Sequence, residues 1–150
     1  MAGQGKTTKA YADQLKQDGW KILFLCIPNS VHFGVVPIPT SHGVSKQRYP
    51  DIAALKDGRL LFVEVEMALT ESVVDDIILR FGEMRKTLAN RETFHAWATK
   101  VAMVSETEMP MEPLIDAWLL VVKGVGQKSI HLLERLQGES ITLVSSPTLK

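Results

Sequence analysis

The chain has one cysteine, Cys26, in 150 residues, which excludes an internal disulfide. Cys26 stands in an apolar run from Ile22 to Ile27, so the expectation is an inert buried thiol, not a nucleophile. No apolar stretch approaches the roughly 18 residues needed to cross a bilayer, so no membrane partner is expected. The opening residues, Met-Ala-Gly-Gln-Gly-Lys-Thr-Thr-Lys, lack the apolar segment of a secretory leader, and a cytoplasmic protein is expected. Net charge is missing too, with 17 Lys and Arg against 17 Asp and Glu. A broad cationic surface for non-specific nucleic-acid binding is therefore excluded. Internal repeats and low-complexity blocks are also absent.

What charge there is lies unevenly. Residues 1–50 carry six Lys/Arg and two Asp/Glu, residues 51–100 seven and nine, and residues 101–150 four and six. Contact with a polyanion would have to be local, with the first third the favoured place. The length and the ordinary apolar and charged fractions fit one globular domain over 1–150.

Helical spacing of Ala10, Tyr11 and Leu15 predicts a helix over Thr7 to Gln17, ended by Asp18-Gly19. Trp20 to Ile27 reads as a buried strand closed by Pro28-Asn29. Residues 28–47 read as a long loop with room for one short strand near Val31 to Val36. Arg48 to Leu55 and Arg59 to Leu69 read as strands joined through Asp57-Gly58, a strong hairpin signal. Thr70, Glu71 and Ser72 offer N-caps for a long helix carrying Val73, Val74, Ile77, Ile78, Phe81, Met84 and Leu88 at i, i+3/i+4 spacing. It is expected to reach Trp97, with a break near Asn90. Val101 to Val104 and Ala117 to Val122 are expected strands, Lys128 to Leu136 a helix, and Ile141 to Val144 a last strand. The fold class is α/β, a mixed central sheet flanked by helices.

The run Leu60 to Leu69 is apolar except at Glu64 and Glu66. Side chains alternate along a strand, so both glutamates share the face of Leu60, Phe62 and Ala68. With Asp57 and Gly58 central in the turn, Lys56 faces Arg59, Leu55 faces Leu60, Ala53 faces Phe62, Asp51 faces Glu64 and Tyr49 faces Glu66. Three carboxylates, Asp51, Glu64 and Glu66, thus converge on one patch. Opposed like charges destabilise a hairpin and buried ones are costly, so a compensating divalent cation is expected. Hard oxygen ligands suit Mg²⁺ or Mn²⁺.

Pro50-Asp51, twelve intervening residues, then Glu64-Val65-Glu66 ahead of a long helix resembles the restriction-endonuclease-like PD-(D/E)XK nuclease superfamily. The resemblance spans about residues 7–104, with 105–150 as a C-terminal strand-helix-strand extension. It implies the αβββαβ core of a restriction-endonuclease-like fold and Mg²⁺-dependent hydrolysis of DNA phosphodiesters by an endonuclease. By position it assigns Asp51, Glu64 and the backbone carbonyl of Val65 as metal ligands. Glu66 stands where the superfamily pattern has lysine, as a third acid that could help hold a second metal. Water activation would then fall on the metal, on Glu66, or on a basic residue brought from elsewhere. Asp13 is the candidate for the acid that members often carry on the first helix. Lys46, Arg48, Arg80 and Lys86 are candidate phosphate contacts, with Arg80 preferred over Lys86, and Arg85 lies on the same helix. Such enzymes often dimerise, so a homodimer is an expected partner state. The alternatives are an inactive nuclease-fold module binding nucleic acid or a partner protein, and an acidic hairpin that is merely surface.

Other features carry plainer readings. Gly3-Gln4-Gly5-Lys6-Thr7-Thr8 mimics the tail of a phosphate-binding loop without its preceding strand, leaving a flexible basic arm as its residual use. His32 and His42 are expected to be solvated in the long loop, and His95 and His131 have no evident partner. Met103, Met109, Met111, Trp97 and Trp118 read as core. Glu106, Glu108, Glu112 and Asp116 read as a solvated acidic loop.

Overall fold

A computed structural model describes residues 2–27, 36–39, 47–123 and 129–145. Lys46, His32, His42, most of the expected strand at Val31 to Val36, and the start of the expected helix at Lys128 lie outside these residues.

Helix α1 (Ala2–Gln17) leads through Gly19, at φ +96°, into β1 (Lys21–Leu25). The two-residue strands β2 (Ile38–Pro39) and β3 (Gln47–Arg48) pair with each other as a separate small sheet. Strands β4 (Ile52–Lys56) and β5 (Arg59–Glu66) form the expected hairpin. Asp57 and Gly58 both take positive φ, 50° and 77°, the turn geometry that matches strand twist. The pairing Ile52–Val63, Ala53–Phe62, Leu55–Leu60 and Lys56–Arg59 is the one the turn dictates. Helix α2 (Glu71–Ala89) is capped by Thr70, whose hydroxyl accepts the Val73 N–H at 3.2 Å. It ends at Asn90, which then caps α3 (Arg91–Ser105) by accepting the Thr93 N–H at 3.0 Å. Strand β6 (Leu114–Val121), helix α4 (Ile130–Gly138) and strand β7 (Ile141–Ser145) complete the described elements.

The five-stranded sheet has the order β1-β4-β5-β6-β7; β4 runs antiparallel to both its neighbours, β1 and β5, and β5, β6 and β7 run parallel. Helix α1 covers one face through Tyr11, Ala12 and Leu15, against Ile52, Ala54, Leu61, Val63 and Val65. Helices α2, α3 and α4 cover the other, where Phe81, Trp97 and Leu136 pack over Ala53, Leu60, Phe62 and Leu119. Phe62 and Trp97 meet edge to face at 5.8 Å.

Several expectations need correction. Val101 to Val104 is the end of α3, because Phe94, Trp97, Ala98 and Val101 continue a buried helical stripe and a short apolar run does not distinguish strand from helix. The strand after the helices is β6, so the division at 104/105 falls in the last turn of α3. Strand β4 starts at Ile52, not Arg48. The short strand in the long loop is Ile38–Pro39. Gly3 to Thr8 lies within α1, with Thr7 and Thr8 buried, which removes both the loop and the flexible arm. Met103 and Met111 are exposed, Met109 partly buried. Asp116 lies in β6 and pairs with Arg59 at 2.7 Å, whereas Glu106, Glu108 and Glu112 are exposed as expected, Glu112 beside Arg91 at 3.0 Å. None of the described helices is long and apolar enough to cross a membrane.

Phe62 is the largest fully buried side chain of the sheet, so Phe62→Ala should lower the unfolding free energy by about 3–5 kcal/mol. Met103→Ala should stay within about 0.5 kcal/mol. Urea titration of both variants checks the contrast, and equal losses would place the core elsewhere.

Candidate functional site

The end of the β4–β5 ladder is set by one residue. Continuing the register beyond Ile52–Val63 would set Pro50 opposite Val65, and proline has no N–H to give a ladder. Pairing stops there and the chain bends at Asp51. The Val65 N–H instead donates to Asp51 Oδ2 at 2.7 Å. The Asp51 N–H donates to Glu64 Oε2 at 3.0 Å. Each residue of the pair is thus fixed by the other's segment, backbone to carboxylate in both directions. On the far side the Cys26 N–H donates to the Asp51 carbonyl at 2.9 Å, tying the bend to the end of β1. Val65 turns its N–H toward Asp51, and in a strand a residue's C=O leaves by the same edge as its N–H. The Val65 carbonyl therefore also faces the Asp51 edge.

Glu64 is 1% exposed and lies on the face covered by α2, whose Arg80 reaches over the strand. Arg80 Nη1 donates to Glu64 Oε1 at 2.6 Å. Its Nε lies 3.2 Å from Asp76 Oδ2, one helical turn back, but is buried without hydrogen-bond geometry. The first compensation of the buried carboxylate is therefore a guanidinium.

Burial pushes the proton affinity of the carboxylates up. For Asp51 the carboxyl is raised to about 6, by desolvation first, while the Val65 N–H and Arg80 pull it down and Glu66 pushes it up. Glu64 is raised further, by desolvation and then by the charge of Asp51, with Arg80 opposing. A 2.6 Å ion pair favours ionised Glu64, whereas burial beside Asp51 favours a proton. The two acids titrate as a pair, and its direction is upward because desolvation, then mutual repulsion at Glu64, outweighs the pull of Arg80. Glu66, half-buried, is raised by burial, then lowered by Arg80 and raised by Asp76. Burial, Asp51 and Glu64 also raise the Cys26 thiol, which makes it a poor nucleophile.

The expected residues are thus partly brought together. Asp51 and Glu64 interlock, Arg80 joins them, and Glu66 stays within electrostatic reach. Among the described residues no three His, Cys, Asp or Glu side chains are gathered closely enough to hold a metal ion as they stand, so the three-acid cluster is corrected to a pair plus a neighbour. The pair and the Val65 carbonyl form a hard oxygen set of the type that suits Mg²⁺ or Mn²⁺. Asp13 is exposed on α1, 4.0 Å from Lys16, and does not join. Lys86 is exposed in the last turn of α2, rotated by roughly 240° from Arg80 about the helix axis. Arg85 instead donates to the Glu139 and Ser140 carbonyls at 2.7 Å after α4. Arg48 lies in β3, and Lys46 is outside the described residues. Sequence reasoning missed Asp76, although its i, i+4 spacing to Arg80 on one helix was a usable signal. A separate cavity of about 580 Å³, between α3 and residues 108–112, is lined by Phe94, His95, Ala98, Met109 and Met111 and includes none of the interlocked acids.

The sign of the pH dependence follows. Carboxyls whose folded pKa lies above the unfolded value stabilise the fold while protonated, and that contribution is lost as pH rises through the folded pKa. With EDTA present, the wild-type Tm should fall relative to Glu64→Gln by roughly 5 °C between pH 4.5 and pH 8. Differential scanning calorimetry checks this, and parallel curves would contradict the raised pair.

No family model and no curated protein matches the chain. Among solved structures, the crystal structure of a protein of unknown function, AF1548, is similar with a TM-score of 0.57 at 11% identity, covering 95% of this chain. The match takes in 57% of AF1548, so this chain spans little more than half of that protein's length. At that identity the likeness is one of fold, an α/β arrangement around a mixed sheet.

Proposed function

We propose that the chain is a Mg²⁺- or Mn²⁺-dependent DNA endonuclease of restriction-endonuclease-like type, hydrolysing phosphodiester bonds at the Asp51–Glu64 pair. The observation that carries this reading is the reciprocal clasp of Asp51 and Glu64, two buried acids of raised proton affinity held at a strand end. Structural ion pairs do not need two acids forced together, whereas metal and catalytic sites do. The order α1, β1, β4, β5, α2–α3, β6 supports an αβββαβ core once β6 takes the place of the expected strand at Val101.

In this reading Asp51, Glu64 and the Val65 carbonyl hold the ion, which when bound supplies Lewis-acid activation of the phosphate and of water. The chain's own residues do the rest. The Val65 N–H fixes the Asp51 carboxylate and the Asp51 N–H that of Glu64, while the Cys26 N–H holds the backbone of the bend, so little ordering is left for binding. Glu66, half-buried and near water, can take the proton of the attacking water. Exposed Lys6, Lys9 and Lys16 on α1 give a local cationic face in the third of the chain that carries the positive excess. A cytoplasmic location and a homodimer able to reach both strands belong to the same proposal.

A second reading is an inactive nuclease-fold module that binds nucleic acid or a partner protein. Glu66 in place of lysine favours it, together with the Arg80 guanidinium seated on Glu64. Nicking of supercoiled plasmid at pH 8 with Mg²⁺ or Mn²⁺ separates the two. Cleavage by wild type, reduced at least about 100-fold in Asp51→Ala, is expected. DNA binding without cleavage would support the module, and no binding of DNA or Mn²⁺ would sink both.

A further inference from the structure

We propose that Arg80 is the resident counter-ion of Glu64 and changes places with the divalent ion, so that metal binding releases its guanidinium to grip a substrate phosphate. This rests on the metal-dependent reading above and names the positioning residue of that site.

Both oxygens of Glu64 are already engaged, Oε2 by the Asp51 N–H at 3.0 Å and Oε1 by Arg80 Nη1 at 2.6 Å. Each carboxylate oxygen keeps a second lone pair, so an ion reaching Glu64 can share it with the neutral Asp51 N–H but competes with the cationic guanidinium. The Asp51 N–H belongs to a backbone bend held on its other side by the Cys26 N–H at 2.9 Å, and moving it would break the strand end. Arg80 is a long side chain, 34% exposed, on the helix that covers the strand. It is the partner that can leave. Its departure is also favoured electrostatically, since a guanidinium and a divalent cation on one carboxylate repel each other.

The guanidinium has a place to go. Asp76 Oδ2 lies 3.2 Å from Arg80 Nε, but that buried donor makes no hydrogen bond. The ion pair with Asp76 holds the base of the guanidinium whether or not its terminal nitrogens stay on Glu64. Those nitrogens are then unpaired donors beside a bound ion, where an anionic phosphate oxygen is the complementary ligand. Arg presents its donors as a planar fork suited to a phosphate. Arg80 would contribute to phosphodiester binding only when the metal is present.

Two measurements on the full chain test the exchange. Calorimetry with Mn²⁺ at pH 8 should show Arg80→Gln binding the ion about tenfold more tightly than wild type, because the competitor is gone. Fluorescence anisotropy with a short DNA duplex, in EDTA and in Ca²⁺, should show a conditional defect. Arg80→Gln should match wild type in EDTA and bind about tenfold more weakly in Ca²⁺. Arg80→Lys, which keeps the charge without the fork, should fall between, and it provides the answer if Arg80→Gln fails to fold. Wild type binding Mn²⁺ while the variant binds no more tightly, or a DNA defect of equal size in EDTA and Ca²⁺, would overturn the exchange and leave the metal site standing. Wild type binding no Mn²⁺ would overturn the proposed function, and the exchange with it.

Discussion

A carboxylate that is 1% exposed must find compensation within the protein, and the end of the sheet is arranged around that need at Glu64. The Asp57-Gly58 turn fixes a register in which Glu64 lies across from Asp51. A slip of one residue would turn Glu64 to the α1 face and out of reach of Arg80. Pro50 ends the ladder one step beyond, freeing the Val65 N–H for the Asp51 carboxylate. Helix α2 then packs by Val74, Ile77, Phe81 and Met84, an apolar stripe that places the neighbouring Arg80 over the strand. Turn, proline and helix stripe are separate sequence features that all serve one buried charge.

That compensation is incomplete by count. Asp51, Glu64, Glu66 and Asp76 all act electrostatically on Arg80 or on one another, so several acids surround one guanidinium. The surplus must be met by protons or by another cation, and which of them meets it depends on pH. At acid pH protons suffice, and burial first, then the neighbouring acids, makes the pair hold them more tightly than ordinary carboxyls. On the proposed reading, the same surplus becomes near neutrality an affinity for a hard divalent ion. The local instability of the metal-free site and its proposed capacity for Mg²⁺ or Mn²⁺ have one physical origin.

The turn and register of the hairpin were legible in the sequence, though not its ends, because turn chemistry and apolar alternation specify the register without reference to the rest of the fold. The break at Asn90 was legible for the same reason, since a cap is local. Residues Val101 to Val104 were not, because four apolar residues fit either period and only packing on Trp97 and Phe94 decides for helix. The approach of Arg80 to Glu64 depends on how α2 lies on the sheet, a non-local fact, so sequence could rank Arg80 over Lys86 but not see it as a counter-ion. The third carboxylate was over-read. Alternation puts Glu66 on the face of Glu64, but two residues along a strand is roughly 6.5–7 Å, beyond the reach of the clasp that Pro50 and Asp51 create.

Glu66 and Arg80 also bear on each other. On the proposed reading Glu66 stands where the superfamily pattern has lysine, and an acid there removes a positive charge from the strand while adding a negative one. Arg80 restores the positive charge from α2, and it lowers the proton affinity of Glu66 as well as that of Glu64. On the proposed reading the cation of the site has moved from strand to helix. A strand-borne lysine would project from the same rigid backbone as Glu64, whereas Arg80 comes from a packed helix through a long side chain. In that proposal it neutralises Glu64 without metal and serves a phosphate with it. Such a division of time between two partners requires a residue that is not itself part of the clasp, and among the described residues Arg80 is the cation so placed.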